Sequence, residues 1–357
     1  MSAPGGENAS DRPQVPGASY TRRLDELQAG DGGRFGGKSA SLGELLRAEI
    51  PVPPGFALGT SAFTELMSAI RPRAEVDAAP DAAAAADIRA AIRSAPVPDA
   101  VRGELAARYA ELEQVAGIPS PPVAVRSSAL GEDSSEATFA GQQDTYLWVR
   151  GVDDICTAVR DCWASLYSTE AVSYRARLGG DAGRHPAMGV TVQQMVDAEI
   201  SGVMFTCNPV TGDPSMIAIN ASWGLGLAVV GGEVTPDDYL VSKVTREVVR
   251  QTVGDKQVEH VPGADGNGTT RIEVDDRRRH EVCLTDGAIR ALVDVGRRIE
   301  RHFGSHQDVE WAIARGQEAP EGLFVLQSRP VTGLPARPDA PAPASALSLI
   351  MGKFGAA

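Results

Sequence analysis

Residues 123–145 read VAVRSSALGEDSSEATFAGQQDT, which places a cation, several hydroxyl groups and backbone-exposing glycines within one short stretch. Its first residues alternate valine with alanine and Arg126, which predicts a strand with the valines in a core and Arg126 on the opposite face. Gly141 lacks a Cβ and lets the main chain approach a ligand, and Thr145 adds a hydroxyl donor. The stretch therefore predicts a site for polyphosphate.

A second polar group comes near the end of the chain, on two segments with strand periodicity. Asp308 and Glu310 lie two residues apart, so a strand directs both carboxylates to one face, and Gln327 and Arg329 repeat this on the next segment. If the two strands pair as a hairpin, one face carries oxygen ligands for Mg²⁺ beside a cation for phosphate. The alternative is a solvated sheet face with an arginine–carboxylate pair.

Several further motifs follow one another along the chain. They are GGKSASLGELL with PVPPGF at 36–56, VQQMV at 192–196, SGVMFTCNPVTGD at 201–213, WGLGLAVVGGEVTPDDY at 223–239, QDVEWA at 307–312 and LQSRPVT at 326–332. Together with the first stretch, and in the same order, these motifs resemble the nucleotide-binding domain of the phosphoenolpyruvate synthase, pyruvate phosphate dikinase and rifampin phosphotransferase family, which has an ATP-grasp fold. The resemblance spans roughly residues 20–335.

This resemblance implies an α+β ATP-grasp fold in which two to three lobes, at about 20–190 and 190–335, clamp Mg²⁺ and ATP. It implies catalytic roles for Lys38, Arg126 and Arg329, and metal ligands at Glu310 and Gln327. Asp308, whose carboxylate shares the strand face of Glu310, is the third predicted metal ligand. Leu227 stands where many relatives have glutamate. The nucleotide-binding residues implied are Lys38, Arg126, Gly141, Gln142, Thr145, Gln193, Met195, Val196, Glu310, Gln327 and Arg329.

Lys38 also belongs to a P-loop-like pattern, GGRFGGKS at 32–39. A P-loop requires an apolar strand before it, and the preceding TRRLDELQAGD is polar, so the pattern disfavours a true P-loop. In the resembled family the lysine of GGKxxxLGEL reaches the ATP phosphates from a mobile lobe. The alternative is a surface lysine beside a glycine turn.

Two other site residues have structural alternatives. Arg126 is also placed to pair locally with Glu132 or Asp133. Gln193, which the resemblance assigns with the Met195–Val196 backbone to a hinge around adenine, lies in an alternating segment that is equally typical of a core strand.

The resemblance implies phosphoryl transfer from ATP to a histidine on a separate domain, and TFAGQQDT at 138–145 resembles the branches that release AMP and phosphate. No histidine of this chain lies in a loop suited to phosphorylation. The sequence therefore predicts one subunit of a split phosphotransferase, with a phosphohistidine-domain protein and an acceptor-binding subunit for a small-molecule acceptor in trans. The alternatives are a self-contained ATP-grasp ligase or direct small-molecule kinase, and a non-catalytic ATP-binding regulatory subunit. The histidines are His185, His260, His280, His302 and His306.

Composition and charge limit the partners and the location that we expect for this chain. The 357 residues carry a formal net charge of −13, which argues against a nucleic-acid surface, since that surface needs clustered basic residues. No apolar run is long enough to span a bilayer and the N-terminus has no signal-peptide pattern, so we expect no membrane partner and a cytoplasmic location. Four cysteines without a CxxC pair predict buried thiols. Residues 1–19 are predicted to be a disordered leader, and 336–357 a Pro-rich linker and tail.

Overall fold

The computed structural model describes residues 19–70, 82–129, 145–178 and 187–334. Within these ranges the chain mixes helices with antiparallel sheets, and the predicted α+β class is confirmed. Gly141 and Gln142 lie outside the described residues. The same holds for nearly all of the predicted leader and for the whole of the predicted tail.

The secondary-structure elements are numbered in chain order. The strands are β1 (Thr21–Arg23), β2 (Gly55–Leu58), β3 (Val123–Ala129), β4 (Thr145–Val149), β5 (Met188–Gln194), β6 (Ala198–Phe205), β7 (Met216–Trp223), β8 (Asp237–Ser242), β9 (Val248–Thr252), β10 (Val258–Pro262), β11 (Thr269–Glu273), β12 (Gln307–Ala314) and β13 (Leu323–Pro330). The helices are α1 (Gly32–Phe35), α2 (Gly37–Arg47), α3 (Thr60–Ile70), α4 (Ala82–Ser94), α5 (Asp99–Ala116), α6 (Val152–Ser165), α7 (Thr169–Leu178), α8 (Leu227–Val230) and α9 (Asp286–Phe303).

The first sheet has five strands in the order β1-β2-β5-β3-β4, and all neighbouring pairs are antiparallel. Val123 and Val125 of β3 are fully buried in a core that also contains Phe63 of α3 and Trp163 of α6. Arg126 faces away from this core. The alternation predicted for β3 is therefore confirmed, and it leaves one sheet face available for a ligand.

The second sheet has six antiparallel strands in the order β13-β12-β6-β7-β8-β9, and α9 packs on it. Thr285 caps this helix, because its Oγ1 accepts a hydrogen bond from the Ala288 amide at 3.2 Å. A Cβ at Gly296 would lie 3.0 Å from the Met204 sulfur, so glycine lets the helix approach the sheet closely. Gly304 ends the helix with a left-handed φ of 68°. The remaining pair, β10 and β11, forms a separate two-stranded sheet.

Helix α2 lies between the two sheets and contacts both. Leu42 and Leu45 are buried in the core of the second sheet, and the helix ends at Arg47, before Pro51, whose ring disfavours a helix. Gly36 precedes the helix with a φ of 84°, and a Cβ there would lie 2.1 Å from the Ser128 carbonyl oxygen. Glycine is thus required for α2 to begin against β3.

The chain passes from the first sheet to the second at residues 195–197, between β5 and β6. The end of β5 and the start of β6 therefore lie at the step between the two sheets. Among the helices of the described ranges, none is both long enough and apolar enough to cross a bilayer.

Candidate functional site

A cavity of about 400 Å³ lies between the two sheets. Small-molecule and cofactor sites commonly have volumes of roughly 300–1,000 Å³. The cavity brings together every predicted nucleotide-binding residue that the structure describes, although these residues come from distant parts of the chain. They are Lys38, Arg126, Thr145, Gln193, Met195, Val196, Glu310, Gln327 and Arg329. Their individual roles stay predictions.

Arg126 on β3 bridges the two sheets. Its Nη1 lies 3.3 Å from Oε2 of Glu310 and 3.4 Å from Oε1 of Gln327. The side chain is 12% exposed, and its Nε is buried without a hydrogen-bond partner among the described residues. The local alternatives, Glu132 and Asp133, lie outside the described residues. The acidic partner that the structure gives Arg126 thus comes from the other sheet.

The predicted hairpin at the end of the chain is confirmed. Asp308 pairs directly with Arg329, and Glu310 with Gln327, in the antiparallel register of β12 and β13. The register then shifts by one residue, so Leu326 forms a β-bulge. This bulge lets both Leu326 and Gln327 line the cavity, where strict alternation would place them on opposite faces.

Asp308 differs from the other predicted metal ligands in its surroundings. Its Oδ2 accepts a hydrogen bond from Nε of Arg329 at 2.9 Å and lies 2.8 Å from Nη2 of the same side chain. The carboxylate is 12% exposed, and burial raises its pKa although Arg329 opposes this. Asp308 lies beside the cavity and not among its lining residues. Its metal role stays a prediction, and the contact observed is with Arg329.

Lys38 lies in the first turn of α2 and lines the cavity. Its Nζ donates a hydrogen bond to the Ser127 carbonyl oxygen at 3.1 Å, which brings the ammonium next to β3. Short 3-10 turns and α1 come directly before α2, where a P-loop would have a strand. The P-loop interpretation is therefore excluded, and Lys38 enters the site from a helix that contacts both sheets.

The predicted hinge residues line the cavity. Gln193 of β5 is buried, and its Nε2 has no hydrogen-bond partner among the described residues. Met195 donates its backbone N–H to the Pro122 carbonyl at 2.8 Å, so that N–H is already occupied. A buried, unpaired amide donor in a cavity is costly unless a ligand accepts its hydrogen bond.

Known proteins are similar in sequence to this chain over most of its length. Residues 33–346 match the family described as the pyruvate phosphate dikinase AMP/ATP-binding domain. The chain belongs to this family. Relatives include a probable phosphoenolpyruvate synthase of Methanothermobacter thermautotrophicus (42% identity over 325 residues), the phosphoenolpyruvate synthase of Pyrococcus furiosus (37% over 362) and a rifampicin phosphotransferase of a Streptomyces species (41% over 326).

The match covers most of this chain but less than half of these relatives. The alignments include 88%, 88% and 87% of the chain and 46%, 44% and 36% of the respective relatives. The family to which this chain belongs is therefore that of the AMP/ATP-binding domain, and the chain spans less than half the length of these relatives.

The donors around the cavity fit a nucleotide and a hard cation. The positive charges of Lys38, Arg126 and Arg329 fit phosphates, and the Gln193 amide, which has no hydrogen-bond partner among the described residues, fits a base. Glu310 and Gln327 present a carboxylate and an amide oxygen to the same point. Mg²⁺ commonly takes one or two protein oxygens and completes its shell with phosphate oxygens and water.

One wall of the cavity was not predicted from the sequence. This apolar wall consists of Ala198, Leu225, Ala312 and Leu326, which cluster together beside the hinge. Ala312 follows Glu310 by two residues on a regular strand, so alternation could have identified it. Leu326 could not be found in this way because the bulge changes its direction. An apolar wall opposite a polar one suits a base joined to phosphates.

Proposed function

We propose that this chain binds Mg²⁺ and ATP and donates a phosphoryl group, as the nucleotide-binding component of a phosphoenolpyruvate synthase-like phosphotransferase. The observation that carries the proposal is the convergence of Lys38, Arg126 and Arg329 with the oxygens of Glu310 and Gln327 in one cavity. The fold that we assign to this arrangement is an ATP-grasp clamp, with the two sheets as its principal lobes.

The charges of the cavity account for catalysis without a covalent protein nucleophile. Phosphoryl transfer depends mainly on positioning and on stabilising charge that develops on the phosphate oxygens. Lys38 contributes from α2, Arg126 from β3 and Arg329 from β13, so the positive charge for the phosphates comes from three separate elements. Glu310 and Gln327 would hold the magnesium ion, which supplies further positive charge when bound.

The phosphoryl acceptor that we propose is a histidine of a separate phosphohistidine-domain protein, with AMP and phosphate as products. The histidines in the described part of the chain support this, because none of them lines the cavity; they are His260, His280, His302 and His306. An acceptor-binding subunit would then pass the group to a small molecule. The relatives named phosphoenolpyruvate synthase and rifampicin phosphotransferase are more than twice as long as the segment they share with this chain.

The test uses ATP labelled in its β- and γ-phosphates. The purified chain is incubated with and without phosphohistidine-domain proteins encoded by neighbouring genes, and nucleotides and proteins are analysed for label. We expect slow hydrolysis by the chain alone, and label on a partner histidine together with AMP when the partner is present. The Lys38→Ala variant is the control and should abolish the transfer.

Two results would overturn the proposal. Efficient transfer to a small acceptor by this chain alone, with ADP as product, would assign it to the ligases or direct kinases. Tight ATP binding without turnover in the presence of every candidate partner would assign it a regulatory role.

A further inference from the structure

We infer that Arg126 makes this site selective for a metal–nucleotide complex over a free metal ion. The inference rests on the proposed function, because it concerns the same metal ligands. Glu310 Oε2 and Gln327 Oε1 are the two oxygens that converge for a metal, and both lie against the same nitrogen of Arg126, at 3.3 and 3.4 Å. The guanidinium therefore competes with a divalent cation for these oxygens.

Geometry and charge both make the competition strong. Mg²⁺ holds its oxygen ligands at about 2.1 Å, so a metal on Glu310 and Gln327 would enter the space next to Arg126. Arg126 carries a permanent positive charge, and its side chain is only 12% exposed, so water screens the repulsion weakly. A free divalent cation would have to displace the guanidinium from Glu310, its acidic partner among the described residues.

A triphosphate removes this obstacle. The Arg126 contacts are long, and its Nε has no partner among the described residues, so the side chain gains hydrogen bonds by turning towards phosphate. Glu310 and Gln327 are then available to the cation that the phosphates bring with them. Arg329 differs, because Asp308 holds it at 2.8–2.9 Å. The exchange is thus specific to Arg126.

This arrangement couples the binding of metal and nucleotide. If the nucleotide raises the affinity for the metal by some factor, the metal raises the affinity for the nucleotide by the same factor, because the coupling free energy is reciprocal. Part of that coupling would come from the release of Arg126 from Glu310 and Gln327, in addition to direct contact between metal and phosphate. Removing Arg126 should therefore strengthen metal binding in the protein without nucleotide, although Arg126 itself binds no metal.

The test measures Mn²⁺ binding to the nucleotide-free protein by electron paramagnetic resonance. We expect Arg126→Gln to bind Mn²⁺ about tenfold more tightly than the wild type, within the usual range of coupling between sites. Lys38→Gln is the matched control, because it removes the same charge from the same cavity, where the ammonium donates to the Ser127 carbonyl oxygen. This control should tighten Mn²⁺ binding by clearly less than the tenfold expected for Arg126→Gln, because Arg126 is the cation that lies against the oxygens of Glu310 and Gln327. Arg126→Lys, which retains the charge, should resemble the wild type.

A second titration, with a non-hydrolysable ATP analogue at saturation, separates this inference from the proposed function. If Glu310→Gln leaves Mn²⁺ affinity for the protein–analogue complex unchanged, the metal assignment itself is wrong. If Glu310→Gln weakens that affinity but Arg126→Gln does not tighten nucleotide-free binding, only the role of Arg126 is refuted. Equal tightening by Arg126→Gln and Lys38→Gln would likewise refute it, because a general charge effect would then suffice. Should Arg126→Gln fail to fold, tightening in Arg126→Lys would contradict the inference.

Discussion

Replacement of Lys256 by methionine is expected to destabilise the protein by about 3 kcal/mol. Lys256 and Asp237 form an ion pair in which both side chains are fully buried, with Nζ 2.5 Å from Oδ1. The Asp237 carboxylate also accepts hydrogen bonds from the backbone amides of Gly254 at 2.9 Å and Cys283 at 2.7 Å. Asp237 thus ties β8 to the segments that carry Gly254 and Cys283.

The expected loss of stability comes from the Asp237 charge, which the substitution leaves buried without its partner. Removing one partner of a buried ion pair typically costs about 3–5 kcal/mol, because the other charge stays buried without compensation. Methionine preserves most of the aliphatic volume of lysine, so little cavity cost is added. Asp237 would keep the two backbone donors and the Tyr239 hydroxyl, which lies 3.3 Å from Oδ2. We therefore expect the low end of the range.

Urea unfolding, followed in parallel by circular dichroism and tryptophan fluorescence, measures this cost and shows whether the two signals coincide. Arg277→Met is the control, because its pair with Glu281 is exposed and should contribute less than about 1 kcal/mol. Adding Asp237→Asn to Lys256→Met should recover part of the loss, since it removes the uncompensated charge. A cost below about 1 kcal/mol for Lys256→Met would refute the reasoning, since water or relaxation would then have replaced the lysine.

Three further predictions concern the site and its support. Lys38→Ala should lower ATP turnover about a hundredfold, or about 3 kcal/mol, with an unchanged circular dichroism spectrum; near-normal turnover would remove Lys38 from catalysis. Asp308→Asn should weaken nucleotide binding measured in EDTA, because it loosens Arg329; a change confined to the Mg²⁺ requirement would instead make Asp308 a metal ligand. Burial raises the pKa of Glu104, but hydrogen bonds from Ser19 and Thr21 outweigh this and lower it from 4.5. Ionised Glu104 therefore stabilises the fold above about pH 4.5 and loses this effect as the pH falls. The loss of stability in Glu104→Gln, measured by urea unfolding, should accordingly shrink below that pH, and a constant loss would contradict the assignment.

The local sequence pattern was sufficient to predict the sheet face of a side chain wherever that face depends only on the residue's own strand. The alternation of β3 placed Arg126 opposite the buried valines, and two-residue spacing placed Glu310 and Gln327 on one face of a hairpin. The same rule failed at Leu326, where the register shift directs neighbouring residues into one cavity. A bulge depends on the pairing of two strands, and single-strand periodicity does not contain that information.

The contact between Arg126 and Glu310 in the cavity depends on packing between the two sheets. Arg126 and Glu310 are 184 positions apart, and no local pattern distinguishes Glu310 as a partner from the nearer Glu132 or Asp133. The Asp308–Arg329 pair, by contrast, lies within the hairpin of the second sheet, and the two-residue spacing already allowed an arginine–carboxylate pair on that face. The contact of Arg126 with Glu310 forms only where the second sheet packs against the first.

The position of Lys38 shows how residues without chemical roles determine this closure. Ser39 bonds through Oγ to the Thr191 hydroxyl of the first sheet at 2.7 Å, and Ser41 donates to the Ser328 carbonyl of the second sheet at 2.8 Å. These two bonds, on the first turns of α2, fix the helix to both walls of the cavity. Any movement of one sheet relative to the other must therefore strain or break a contact of the helix that carries Lys38. The relative position of the two sheets and the placement of the lysine are therefore linked, and local sequence signals cannot describe this link because it joins three distant segments.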